Sequence, residues 1–148
     1  MPLLVRRVKV SDLSVLESLE LETMKRFPSR TRWIETFRRL IETSLSEEPE
    51  GVLIADYDGR AVGMALARVR GNHPLTGAKM GRLEVLSIAP GWRTQGVGDR
   101  LLKEAEMYLK SRGCEVMSTQ LPADAGADGD FFKANHYKVA AWLLERPL

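Results

Sequence analysis

Glu84-Val85-Leu86-Ser87-Ile88-Ala89-Pro90-Gly91-Trp92-Arg93-Thr94-Gln95-Gly96-Val97-Gly98 is the stretch that decides the fold of this 148-residue chain. It reads as a strand ending at Ile88-Ala89-Pro90, a tight glycine loop, and the start of an amphipathic helix near Val97. The amides of a helix's first turn have no partner inside the helix, and they carry the positive end of its dipole. Such a place suits phosphate. Gly96 and Gly98 lack a Cβ, so backbone and ligand can come close there. Arg93 adds a fixed positive charge just before the loop. Two other phosphate motifs fit worse. A dinucleotide-binding fingerprint needs a third glycine where Leu101 stands. A P-loop ends in Gly-Lys-Ser/Thr, whereas Gly98 is followed by Asp99-Arg100.

Outward from this stretch the chain alternates strands and helices. Leu3 to Val10 reads as a strand. Ser11 or Asp12 caps a helix running toward Phe27, with Leu13, Leu16, Leu19 and Met24 near one face and Pro28 as its breaker. Thr31 to Ser44 fits a second helix through Trp33, Ile34, Phe37, Leu40 and Ile41. After a loop at Pro49-Glu50-Gly51, Val52–Tyr57 and Arg60–Arg70 form a hairpin around Asp58-Gly59. Gly71 to Gly77 connects into the strand Gly81–Ile88. The helix after the glycine loop turns Val97, Leu101, Leu102, Ala105, Tyr108 and Leu109 to the core, and Gly113 stops it. Cys114–Leu121 is expected as a strand, Asp130–Asn135 as the end of a short helix, and Tyr137–Leu144 as a final strand. This order indicates a mixed α/β sheet.

Composition sets the outer bounds. The chain is 44% hydrophobic and 28% charged, which fits one globular domain over residues 1–148 with a core of its own. A net charge of +2 admits an anionic ligand but lacks the concentrated basic face that nucleic acid selects. Met1 to Val5 is cut off by Arg6-Arg7, too short for a signal peptide or a membrane span. Cys114 is the single cysteine, so no intrachain disulfide forms and a cytoplasmic setting is expected. No residues stand at metal-ligand spacing, and no metal is expected.

The stretch from Glu84 to Gly98 resembles the acyl-CoA-binding motif of the GNAT superfamily of N-acyltransferases, [Gln/Arg]-x-x-Gly-x-[Gly/Ala] after a strand. The order of elements resembles the GNAT fold over nearly the whole chain: a mixed central sheet flanked by helices and splayed at the acyl-CoA-binding strand. The resemblance implies that Arg93, Thr94, Gln95, Gly96, Val97 and Gly98 hold the CoA pyrophosphate, while Leu86, Ser87 and Ile88 pair with the pantetheine. It also implies acetyl-CoA as cosubstrate and acetyl transfer to a primary amine by direct attack. A bulge near Ser87 and Ile88 belongs to that pattern, though nothing in the residues themselves shows one.

Glu84 lies in an otherwise apolar strand and matches the acidic residue that several family members carry six places before the Pro. A carboxylate in such surroundings can act as general base; the bland alternative is a salt-bridged strand residue near Arg82. Asp99 would repel phosphate if it faced the ligand, and is expected to point outward. His73 and His136 read as surface residues, and Cys114 as a small buried one. Arg30, Arg32, Arg38 and Arg39 read as a solvated helix face, with an acidic acceptor as the sharper alternative.

One segment departs from the family. Phe131-Phe132-Lys133-Ala134-Asn135-His136-Tyr137 matches a segment whose Tyr protonates the departing CoA thiolate, and here Phe132 occupies that place. Ala125 and Asp128 stand where the family has Asn and Ala. The cofactor position is kept while the usual acid is lost, which leaves a non-catalytic acyl-CoA sensor as the rival reading. The acceptor is a small-molecule or peptide amine of unread identity, with neither nucleic acid nor membrane as partner. A homodimer stays open.

Overall fold

The computed structural model describes residues 2–25, 32–123 and 126–148. Five strands form one sheet in the order of the chain: β1 (Leu3–Arg7), β2 (Val52–Tyr57), β3 (Arg60–Asn72), β4 (Lys79–Ile88) and β5 (Val116–Ser118). The first four pair antiparallel, and β5 joins β4 in parallel. Among the described residues four α-helices accompany them: α1 (Leu13–Met24), α2 (Trp33–Glu47), α3 (Val97–Ser111) and α4 (Ala127–Ala134). The β2–β3 hairpin closes at Asp58-Gly59, both at positive φ, as an Asp-Gly two-residue turn requires. The breaker Pro28, the expected helix end at Phe27, the start at Thr31 and Arg30 all lie outside the described residues.

Alternation along the strands divides the core in two. Leu53, Ala55, Ala65, Ala67 and Leu83 pack under α3 with Val97, Leu101, Leu102, Ala105 and Leu109. Val52, Ile54, Met64, Leu66 and Val85 face Leu16 and Leu19 of α1 and Phe37 and Ile41 of α2. Period two along the strands and period 3.6 along the helices produce this sorting directly. Glycine brings α3 onto the sheet. A Cβ on Gly81 would stand 2.4 Å from Leu109, and one on Gly63 would stand 3.0 Å from both Leu101 and Val97.

Two expected strands differ from the sequence reading at the same end of the sheet. Cys114–Leu121 yields only the three residues of β5. Tyr137–Leu144 forms no strand at all, and residues 138–148 are exposed throughout. Tyr137 itself is held back, its ring centroid 5.3 Å from that of Phe132 and its hydroxyl donating to Glu106 at 2.7 Å. The chain leaves the body immediately afterwards. Smaller differences are one turn or less. β1 stops at Arg7 and gives way to a 3-10 turn over Val10–Asp12. Asp12 caps that turn, accepting from the Lys9 amide at 2.7 Å, and also binds Arg6 at 2.9 Å.

Candidate active site

The site begins with a defect in β4. Leu66 pairs with Val85 and Ala67 with Leu83, so Glu84 is an extra residue on its strand. A bulge of this kind bends the strand and breaks its alternation. Accordingly Leu83 packs under α3, whereas Val85, two residues on, packs against α1 and α2. The bulge thus lies three residues before Ser87, upstream of the expected place.

On its other side β4 pairs with β5 only from Met80 to Arg82. Thr119 Oγ1 donates to the Leu83 carbonyl at 3.0 Å, and past that point the two strands part. Among the described residues, Glu84 to Ile88 have no strand partner on that edge. Which backbone groups face the gap follows from the antiparallel ladder. The Ala89 amide donates to the Val62 carbonyl at 2.8 Å, toward β3. Residues two apart share an edge, so Ser87 also faces β3, and Leu86 and Ile88 present their amides and carbonyls to the open side.

The chain then turns through Pro90 and Gly91 into the glycine loop. The Trp92 amide donates to the Ala89 carbonyl at 3.0 Å, and the Gln95 amide to the Trp92 carbonyl at 3.3 Å. Gly96 caps α3 in the left-handed conformation, φ +77°, and a Cβ there would meet nothing within 4 Å. Its surroundings are open, and the first-turn amides that follow have no acceptor within the helix. Gly98 is different. It is buried, and a Cβ on it would stand 3.2 Å from the Phe131 ring. One glycine keeps the approach clear, and the other admits an aromatic ring from α4.

Arg93, exposed like Thr94 and Gln95, forms an ion pair with Asp128 in the first turn of α4. The positive charge assigned to the loop is therefore shared with a carboxylate from the segment that departs from the family. Ala125 lies outside the described residues. Asp99 is exposed and accepts from Asn135 Nδ2 at 3.2 Å, which ties the two helices together. Phe132 is 6% exposed. Its ring packs edge-on to Phe131 at 5.1 Å and to Tyr137 at 5.3 Å. The Tyr137 hydroxyl is committed to Glu106, and burial together with that carboxylate pushes its pKa far above the usual tyrosine range. Neither residue offers a proton to the loop.

Glu84 is half-buried and bound to Arg70 of β3, whose Nε and guanidinium nitrogen lie 2.7 and 2.6 Å from Oε1. The counter-charge comes from across the bulge, not from neighbouring Arg82. Among the described residues Arg82 makes no ion pair, and its Nε is buried without a hydrogen-bond partner.

Two further carboxylates escape a reading of the sequence. Glu20 of α1 is 1% exposed, and Ser87 Oγ donates to it at 3.2 Å. Leu16 and Glu20 stand four apart, so the helical period that buries one buries the other. Glu48, after α2, accepts from the Val69 amide at 3.0 Å, Tyr108 Oη at 2.7 Å and Arg68 Nε at 3.2 Å. Burial works against its charge, but these donors outweigh it and hold the pKa below the usual carboxylate value. Its partner Tyr108 is pushed up to about 12 by burial and by the carboxylate.

A groove of about 660 Å³ lined by Arg7, Glu50, Glu104, Tyr108 and Arg112 opens beside this cluster. Tyr108 is ten residues along α3 from Gly98, about 15 Å at the helical rise, so the groove is separate from the loop. Among the described residues no cluster of three metal-ligating side chains occurs, and no helix is long and apolar enough to cross a membrane. His73 serves its own turn, its Nδ1 accepting from the amides of Leu75 and Thr76 at 3.1 and 3.2 Å.

The splayed β4, the glycine loop and the order of elements agree with comparison to known proteins. Residues 14–132 match the acetyltransferase (GNAT) family, so the chain belongs to that family and is an acetyltransferase. An uncharacterized N-acetyltransferase of Archaeoglobus fulgidus is 31% identical over 72 residues, about half of each chain. An acetyltransferase of Sodalis glossinidius is 24% identical over 104 residues, 70% of this chain and 68% of the relative. Among solved structures, the aminoglycoside N-acetyltransferase AAC(6')-Iy in complex with CoA superposes with a TM-score of 0.80 at 17% identity. That match covers 99% of this chain and 94% of the other. A transcriptional regulator of Bacillus halodurans superposes with a TM-score of 0.77 at 16% identity, covering 99% of both chains. Likeness at this level is one of fold.

Proposed function

We propose that the protein transfers an acetyl group from acetyl-CoA to a primary amine by direct attack in a ternary complex. The observation that carries this reading is the open edge of β4 from Glu84 to Ile88, which runs straight into a glycine loop at a helix N-terminus. An extended amide-bearing chain can hydrogen-bond to the edge, and a pyrophosphate can lie on the loop amides around Gly96. Pantetheine and pyrophosphate occur in that order in CoA. The crystallised AAC(6')-Iy binds CoA and, in a second structure, a bisubstrate analogue of CoA and acetylneamine; the same donor and an amine acceptor are proposed here.

In the reaction the amine nitrogen attacks the thioester carbonyl carbon, a C–N bond forms and the C–S bond breaks. Amides at the open edge near Leu86 and Ile88 stabilise the charge that develops on the carbonyl oxygen. Holding both reactants together removes much of the entropic barrier. The amine proton goes to Glu84, directly or through water. Two residues of strand separate Glu84 from Leu86, about 7 Å, which is within reach of one bridging water. A base matters most for lysine-like acceptors, since at pH 7 an amine of pKa ~10.4 is neutral about once in 2,500 molecules. Water protonates the thiolate, because Phe132 has no hydroxyl and thiols ionise near pH ~8.5.

Calorimetric titration with acetyl-CoA tests the reading. Gly96→Asp and Gly96→Asn add side chains of one shape into open space, and both residue types tolerate positive φ. Only the first adds a negative charge. Asn should retain measurable binding, and Asp should lose at least tenfold more. Equal affinities for the two variants and wild type would remove the loop from the site. Thiol release across a panel of amines then reads the acceptor class; silence on every amine beside tight binding would favour an acyl-CoA sensor.

A further inference from the structure

Resting on the acetyl-transfer reading, we infer that Arg82 of β4 selects the acceptor, a primary amine that carries a carboxylate within a few bonds. Alternation fixes the face that Arg82 occupies. Leu83 packs under α3, and a Cβ on Gly81 would stand 2.4 Å from Leu109 of the same helix. Arg82, between them, therefore points to the opposite face, the one that α1 and α2 cover. Arg68 stands on that face as well, bound to Glu47 and Glu48 where α2 ends. Arg70 and Glu84, bound to each other, flank the same place.

The register makes this arrangement unfavourable without an anion. Arg82 lies directly opposite Arg68, with Arg70 on the diagonal. Like charges opposed across two strands destabilise a sheet. Arg68 and Arg70 are each neutralised by carboxylates of this chain. Arg82, among the described residues, has no ion pair, and its Nε is buried without a partner. Ser118, its neighbour on β5, directs its hydroxyl to Met80 Sδ at 3.4 Å instead. Arg82 is half-buried, so with Nε enclosed its terminal nitrogens are the part that a ligand reaches. The end of a guanidinium presents two parallel N–H donors, the complement of a carboxylate.

The place of Arg82 beside the proposed base sets the shape of the acceptor. Arg82 and Glu84 are two residues apart along one strand, about 7 Å. An amine that gives its proton to Glu84 while its carboxylate lies on Arg82 must hold the two groups within a few bonds. Free amino acids have this chemistry, and so do peptides with an acidic residue next to the terminal amine. A second positive charge on the acceptor would instead meet the guanidinium, so polyamines are disfavoured.

Calorimetric titration of the full chain, with CoA in excess, reads acceptor binding without turnover. The probes are leucine against leucinamide, and alanylglutamate amide against alanylglutamine amide. The first pair represents free amino acids and the second acidic peptides. In at least one pair the acid should bind about tenfold or more tighter than its neutral counterpart, as one charge-assisted pair implies. Arg82→Gln should bring that preference to within twofold. Equal affinities within both pairs, or a preference that survives the substitution, would overturn the assignment. If Arg82→Gln fails to fold, Arg82→Lys decides, because it keeps the charge and loses the fork. It should weaken the acid several-fold and leave the neutral probe unchanged; an unaltered acid affinity counts against the assignment. Thiol release is read separately. A protein that prefers the acid but releases no thiol keeps this site and loses acetyl transfer. One that acetylates neutral and acidic amines alike keeps acetyl transfer and loses the site.

Discussion

Glu48 is buried and Glu84 half-buried, both beside arginines of β3, and their surroundings differ. Glu48 is surrounded by an amide, a tyrosine hydroxyl and Arg68, with Arg112 at 3.8 Å. Oε1 takes two of these donors and Oε2 one, so the cluster locks the end of α2 to β3 and α3. Glu84 has one charged partner, Arg70, itself 41% exposed, and it stands on a bulge beside an open strand edge. Glu48 is the more fully bonded of the two. Glu84, with a single charged partner at a broken ladder, is the one proposed for proton transfer.

The sharpest way to break this contrast is Glu84→Gln. General base catalysis contributes about 10²–10⁴-fold, so kcat for amine acetylation at neutral pH should fall in that range while acetyl-CoA affinity stays within twofold. Stability should change little, because Arg70 can return to water. An undiminished kcat would take Glu84 out of the mechanism.

The converse substitution, Glu48→Gln, should leave kcat per folded molecule unchanged and lower stability by roughly 2–3 kcal/mol, since charge-assisted hydrogen bonds weaken together in a buried cluster. Urea unfolding followed by fluorescence measures it. A normal midpoint in urea would mean that the cluster is ornamental.

Phe132→Tyr comes next in size. The ring is buried between Phe131 and Tyr137, so the added hydroxyl has no donor or acceptor role waiting for it. Its burial should cost about 1–2 kcal/mol with no gain in kcat. A several-fold rise in thiol release would show instead that this position reaches the leaving thiolate.

The smallest effect is in the alkaline limb of stability. Tyr108 holds its proton up to about 12 in the folded protein, against an ordinary value of 10.0. A raised folded pKa contributes stability that is complete below pH 10 and is lost as pH rises through 12. By pH 11 the loss amounts to about 1 kcal/mol. Tyr108→Phe should flatten that limb in thermal melts between pH 9 and 11. Glu48 acts at the other extreme: its lowered pKa contributes stability that is lost in acid, as pH falls below the ordinary carboxylate value.

The strand–loop–helix core of the molecule was legible in the residues because its causes are local. Glycine at positive φ, Asp-Gly in a hairpin, and apolar residues at period two or 3.6 act through nearest neighbours, and β2, β3, β4 and α3 follow them closely. The family was legible for the same reason, since a glycine loop before a helix is a contiguous motif. The bulge at Glu84 was not, because an extra residue exists only relative to a partner strand, here the Leu66–Ala67 step. The pairing of Arg70 with Glu84, of Arg93 with Asp128 and of Ser87 with Glu20 joins residues 14, 35 and 67 positions apart. No local rule contains such distances. Of the two strands expected last, 114–121 is cut back to the three residues of β5 and 137–144 forms none, although both have the right local pattern. Propensity proposes a strand, but a strand exists only where its backbone groups find partners, and that is decided by the tertiary structure.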